Sequence, residues 1–124
     1  MNKENQEKLF NDFPELFKEN EFRIRRWGIG CGDGWFNIIY NLCKELDRSD
    51  PPVILQVKEK FGLLRIYISN GTKEDWEKIA KAESLSSKTC EFTGKPGKLY
   101  TSKNGWLKTL SPEYAEENEY ILRR

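Results

Sequence analysis

The sequence predicts an α+β fold: a small antiparallel sheet packed with helices, then a C-terminal zinc-ribbon-like hairpin and helix without intact metal ligands. Three observations predict it. Apolar residues recur at helical spacing over residues 34–47 and alternate over 63–69. Turn signals separate the two kinds of segment, among them Asp50-Pro51-Pro52, Asn70-Gly71 and Lys103-Asn104-Gly105. The composition supports a core, since 37% of the 124 residues are hydrophobic and 13% aromatic, which a disordered chain does not carry. Residues 1–86 read as a helix–sheet body. Residues 87–124 read as a ribbon-like hairpin and helix packed on it, within one domain.

Residues 3–12 read as a short helix with Leu9 and Phe10 near its end, and Pro14 after Phe13 opens a second turn, "PELFKEN". "EFRIRRW" alternates, so a half-buried strand is expected, with Phe22 and Ile24 on one side and Arg23, Arg25 and Trp27 on the other. Gly28, Gly30, Gly32 and Gly34 follow. Asp33 is placed to cap a helix over 34–47, whose stripe is Trp35, Ile38, Ile39, Leu42, Cys43 and Leu46. "VILQVKEK" and "LLRIYIS" meet at Phe61-Gly62 as a hairpin, with Leu64, Ile66 and Ile68 on one face and Arg65 and Tyr67 on the other. Thr72 and Asp75 form a capping box for the next helix, with Trp76, Ile79 and Ala80 as its expected buried stripe. "KLYTS" and "WLKTL" form a second hairpin, and Ser111 with Pro112 opens the last helix.

Several function classes fall away. The chain has no His, which removes Ser-His and Cys-His catalysis and the commonest metal ligand. Its three cysteines, Cys31, Cys43 and Cys90, are read as free thiols. No apolar run approaches membrane-span length, and "MNKENQEKLF" is too polar for a signal peptide, so a cytoplasmic location is expected. Net charge is +1 but uneven: residues 88–110 carry five Lys against Glu91 alone, and residues 111–124 carry four Glu against two Arg. No catalytic residue, metal ligand set or cofactor motif is expected. The glycine stretch is not a P-loop, nor a dinucleotide fingerprint, because Asp33 stands where the third glycine would fall. It reads as a strand-to-helix bend.

Two candidate surfaces remain. If the apolar residues of the hairpin face the helices, the opposite face carries Arg23, Arg25, Trp27, Lys58, Lys60, Arg65 and Tyr67 beside Trp35. Guanidinium and ammonium groups next to aromatic rings suit phosphates and stacked bases, so these eight residues are the candidate ligand-binding set. The basic hairpin, with Tyr100, Lys103, Trp106 and Lys108, is the candidate partner-binding set. In the same tail Cys90 and Thr93 stand at C-x-x-C spacing, and Ser111 and Tyr114 form a second pair after the hairpin. That is the layout of a zinc ribbon in which Cys90 alone is a good ligand.

The motifs "GDGW" (32–35), "KEKFG" with "LRIY" (58–67) and "TCEFTGKPG" through "GW" and "TL" (89–110) together resemble a family of small proteins of bacteria and their phages. Its members carry a C-x-x-C-G-x-P-G knuckle and a later Cys-x-x-His. Those positions correspond here to Cys90, Thr93, Ser111 and Tyr114, three of them replaced. The resemblance covers about 32–115 and implies a shared fold and a setting inside a bacterial host cell. From that setting comes the expectation of a non-catalytic accessory protein that counters host defence by binding an anionic, nucleotide-like signal. A protein–protein inhibitor or adaptor of a host defence protein is the alternative, and a nucleic-acid-binding ribbon a further one. No membrane partner is expected.

Overall fold

The computed structural model describes residues 1–123, and it is α+β. Helix α1 spans Lys3–Asp12 and is capped by the Asn2 side chain, which accepts from the Asn5 amide. A loop brings Phe13, Leu16 and Phe17 into the core. The segment read as a strand is instead a single helical turn, α2, Ile24–Trp27. The reason is local. Asn20 Oδ1 accepts from the Phe22 amide, Arg23 adopts a left-handed backbone at φ 53°, and the Arg23 carbonyl then accepts from Arg26 and Trp27. Ile24 and Trp27 are also three residues apart, which fits one helical turn, and the turn chemistry decides between the two readings. Ile24 is buried, as expected, but Phe22 is exposed.

After the glycines, a 3-10 turn at Asp33–Trp35 leads into α3, Phe36–Leu46. Asp33 does not cap that helix with its side chain. Its carboxylate accepts from the Asn2 amide at 2.8 Å and Asn5 Nδ2 at 3.0 Å, which fastens the start of α1 to the glycine segment.

Strands β1 (Val53–Lys60) and β2 (Leu63–Ser69) pair antiparallel around Phe61-Gly62, with a bulge between Ile54 and Gln56. Cross-strand partners share a face. Ile54/Ile68 and Val57/Ile66 therefore point inward, while Gln56/Tyr67, Lys58/Arg65 and Lys60/Leu63 point outward. Helix α4, Lys73–Ser86, runs beside β2. Its Ser86 Oγ and Glu83 Oε2 accept from the amides of Leu64 and Ile66, at 3.0 and 3.1 Å. An edge strand that would offer unpaired N–H groups is thus closed by side chains. The buried stripe of α4 is Asp75, Ile79, Ala82 and Ser86, whereas Trp76 and Ala80 are exposed. Asp75 takes the inner place because it serves two partners: it completes the Thr72 capping box and forms a bidentate pair with Arg48, both Arg48 contacts at 2.8 Å. The Arg48 guanidinium is the chief reason its carboxyl is held down at about 2, against the pull of burial.

The tail forms a second sheet in the order β4-β3-β5, from β3 (Lys98–Thr101), β4 (Leu107–Leu110) and β5 (Ile121–Leu122), with α5 at Pro112–Glu117. Among the described residues no helix is long and apolar enough to cross a membrane.

Candidate functional site

The glycine segment has two edges, and each meets a different part of the molecule. Gly30 pairs in parallel with β1: its amide donates to the Val57 carbonyl at 2.9 Å, and Glu59 donates back at 3.0 Å. Gly32 and Gly34 instead lie against the Cys90–Glu91 backbone. The Gly34 amide donates to the Glu91 carbonyl at 2.7 Å, and a Cβ at Gly34 would sit 2.2 Å from the Cys90 carbonyl oxygen. No side chain fits there, so glycine is a packing requirement. The stretch is therefore more than a bend: it is the seat on which the tail docks.

On the β1 side of the glycines lies a groove of about 200 Å³, lined by Phe22, Ile24, Trp27, Gly28, Gly30 and Leu55 to Lys58. Trp27 stands at its wall with 75% of its surface exposed. The Arg26 guanidinium lies 5.4 Å from the Trp27 ring, and Lys58 Nζ lies 5.5 Å from the Tyr67 ring. Among the described residues no carboxylate lines the groove. A flat, exposed indole, flanking cations and bare backbone can hold an aromatic ring with an attached anion.

The eight predicted ligand residues divide. Trp27 and Lys58 line this groove, and Tyr67 is linked to it through Lys58. Arg65 is opposite Lys58 but is shared with Glu83, 3.7 Å away. Lys60 is on the same face at the far end of the hairpin, over Phe61. Arg23 is exposed at the turn before α2 and does not line the groove. Arg25 points the other way: its Nε donates to the Phe17 carbonyl at 2.6 Å, and it covers the Phe10 ring. Trp35 is 0% exposed, with its indole N–H on the Thr89 carbonyl at 2.8 Å, so it is core and not ligand surface. Sequence reasoning missed Phe22 and Gln56, which line the groove, and Arg26, which lies against the Trp27 ring outside that lining. Reading "EFRIRRW" as a strand sent Phe22 inward. The Asn20 turn signal was the clue that would have placed it.

The partner set also divides. Lys103 and Trp106 are exposed, but Tyr100 is buried against Cys90, Leu110 and Ala115. Lys108 lies between Glu59 at 3.1 Å and Glu91 at 3.0 Å, largely buried. Burial alone would lower its pKa, and the two carboxylates outweigh that and raise it.

The four ribbon positions do come together. The Thr93 amide donates to Cys90 Sγ at 3.4 Å, Thr93 Oγ1 donates to Ser111 Oγ at 3.4 Å, and Tyr114 stacks on Phe92 with ring centroids 4.8 Å apart. Burial pushes the Cys90 thiol up, but hydrogen bonds from Thr93 and from the amides of Phe92 and Ser111 bring it below its ordinary value. Among the described residues no three His, Cys, Asp or Glu side chains gather as a metal would require. Cys31 lies close to the glycines, yet burial, aided by Glu91, pushes its thiol up to about 12, which makes it a poor nucleophile.

Comparison with known protein families, with curated proteins and with solved structures gives no match for this chain.

Proposed function

We propose that this chain is a non-catalytic binding protein that holds an anionic, nucleotide-like ligand in the groove beside Trp27. The observation that carries the reading is the exposed Trp27 indole, with Arg26 against its ring, at the wall of a groove whose described lining holds Lys58 and no carboxylate. Folding has no use for an indole left in solvent, whereas a base stacked on it gains about 1–3 kcal/mol. A groove of about 200 Å³ accommodates one ring, with the phosphate at its mouth near Lys58. Two features favour binding over turnover: the chain contains no His, and burial disfavours the Cys31 thiolate. In the phage-type setting that the resemblance implies, such a protein works by sequestering its ligand from a host defence system.

Isothermal titration against a panel of cyclic and linear nucleotides tests this. Wild-type protein is expected to release heat with at least one of them, and Trp27→Ala and Lys58→Glu are each expected to weaken that binding at least tenfold. A folded wild-type protein giving no heat with any member of the panel would sink the reading.

A further inference from the structure

The tips of the two hairpins face each other across a second cleft, of about 420 Å³, with Phe61 on one wall and Trp106 on the other. It shares no lining residue with the groove beside Trp27. Both rings are exposed, Phe61 at 68% and Trp106 at 69%.

Phe61 is an unusual residue for its place. Lys60 and Leu63 pair across a two-residue turn whose members, Phe61 and Gly62, have φ 55° and 84°. Two-residue hairpins of this kind favour Asn, Asp or Gly at the first position, because a left-handed backbone strains larger side chains. Here the strained position carries a large aromatic ring that is not inserted into the core. Strain joined to apolar exposure marks a residue retained for what it contacts. The apolar surface continues: Leu107 lines the cleft, and Leu107 and Ile121 both pair with Thr101, which sets them on one sheet face with Ile121 exposed.

The exposed charges around the cleft that lack an ion-pair partner are cationic. Among the described residues Glu59 is the only carboxylate in its lining, and it is paired at 3.1 Å with Lys108, a cation it shares with Glu91. Lys60 and Lys103 are exposed, and neither forms an ion pair among the described residues. We propose that this cleft docks an acidic segment of a partner protein. An apolar side chain of that segment enters between Phe61 and Trp106, and its carboxylates meet Lys60 and Lys103. Two isolated cations around an apolar slot match a short acidic peptide. A nucleic acid strand would instead need a continuous cationic track along its phosphates. Aromatic anchors inside a charged rim are also the usual energetic centre of a protein contact.

The test is selection of peptides from a displayed library of random twelve-residue sequences on the intact chain. Binding of the enriched peptides, fluorescently labelled, is then measured by anisotropy. Enriched peptides are expected to be acidic with a leucine or aromatic anchor. Phe61→Asn is expected to weaken them at least tenfold while its Tm stays level or rises, since Asn suits the left-handed turn. Lys60→Glu with Lys103→Glu is expected to do the same to binding, and Trp27→Ala to leave it within twofold. Absence of enrichment, enrichment of neutral or basic peptides, or unchanged binding in Phe61→Asn would overturn the proposal. So would displacement of the peptides by oligothymidylate, which would assign the cleft to nucleic acid. A lower Tm in Phe61→Asn would overturn it too, by showing that the ring serves the fold.

Discussion

The body and the tail of this chain are held together by different means. The body, through residue 86, encloses one apolar cluster that draws on every helix and strand of that region, with Trp35, Phe17 and Leu9 fully buried inside it. The tail has a cluster of only Cys90, Tyr100, Leu110 and Ala115, with Tyr114 and Tyr120 against it. So few apolar side chains do not stabilise an independent unit, which is why small ribbons elsewhere rely on a metal. Here polar contacts to the body carry that role. Trp35 donates to the Thr89 carbonyl, Thr109 Oγ1 donates to the Gly62 carbonyl at 2.6 Å, and Lys108 bridges Glu59 of β1 and Glu91 of the knuckle. A region with a large core tolerates the loss of one contact. A region fastened by a few directional ones does not.

The largest effect is therefore expected at the seat. Gly34→Ala places a methyl group 2.2 Å from the Cys90 carbonyl and 2.6 Å from the Glu91 carbonyl, both backbone and unable to rotate away. The tail must lift, and a loss of about 3 kcal/mol or more follows. Chemical denaturation should show it, together with amide exchange rising across 89–111 first. A Gly34→Ala protein as stable as wild type would mean that the tail does not depend on the seat.

Lys108→Met comes next. It leaves Glu59 and Glu91 facing each other in a largely buried place without their common cation, at a cost of about 2–4 kcal/mol. The two ion pairs also divide the pH response between the regions. The Asp75 pKa is lowered from 3.8 to about 2, so its contribution to the body is complete above 3.8 and is lost as pH falls through about 2. The Lys108 pKa is raised from 10.5, so its contribution to the tail is complete below 10.5 and is lost as pH rises through the folded value. Thermal melts across pH should show Asp75→Asn flattening the acid limb and Lys108→Met the alkaline one. Exchanged effects would break the division.

A smaller change in the opposite direction tests whether the positions around Cys90 can hold a metal. Thr93 donates to Cys90 and to Ser111, the Tyr114 amide donates to Ser111 Oγ, and the Tyr114 ring stacks on Phe92. The triple variant Thr93→Cys, Ser111→Cys, Tyr114→His should bind zinc, gaining about 1–2 kcal/mol with free zinc at about ten times its dissociation constant. Cobalt substitution should give thiolate charge-transfer bands. No cobalt spectrum in a folded variant would show that the four positions only coincide with a ribbon layout.

Much of this was legible in the sequence where one signal acts alone. The first hairpin and the two faces of β2 followed from alternation, though the register did not, and the Thr72 and Ser111 caps followed from residue type and spacing. Legibility failed where two local signals compete or where the partner is distant in sequence. "EFRIRRW" alternates, but the Asn20 side chain and the left-handed Arg23 turn the chain into α2. Trp76 sits at a helical spacing that suits burial, yet Asp75 takes the inner place because Arg48, 27 positions away, waits for it there. The glycines gave no hint of their role, since Gly34 meets residues 90 and 91 only in the folded chain. For the same reason Lys108 and Tyr100 looked like surface, and the exposed pair Phe61 and Trp106 did not look like one cleft.

The smallest expected effect sharpens the comparison most directly, because it uses the same residue type four positions away. Gly30 belongs to the body edge of the glycine segment. A Cβ there would lie 3.5 Å from Lys58 Cβ and from the Val57 carbonyl, which is ordinary contact, and its backbone is not left-handed. Gly30→Ala should hold stability within about 0.5 kcal/mol of wild type, and the reduced freedom of the unfolded chain makes a slight gain the better expectation. Its methyl group sits on the floor of the groove beside Trp27, so ligand affinity should fall where stability does not. Denaturation and titration of the two alanine variants side by side read the two edges separately. If Gly30→Ala destabilised the chain as much as Gly34→Ala, the segment would be one rigid unit whose edges cannot be told apart. If Gly30→Ala changed neither property, the groove floor would play no part in binding, and Trp27 with its flanking cations would carry the ligand alone.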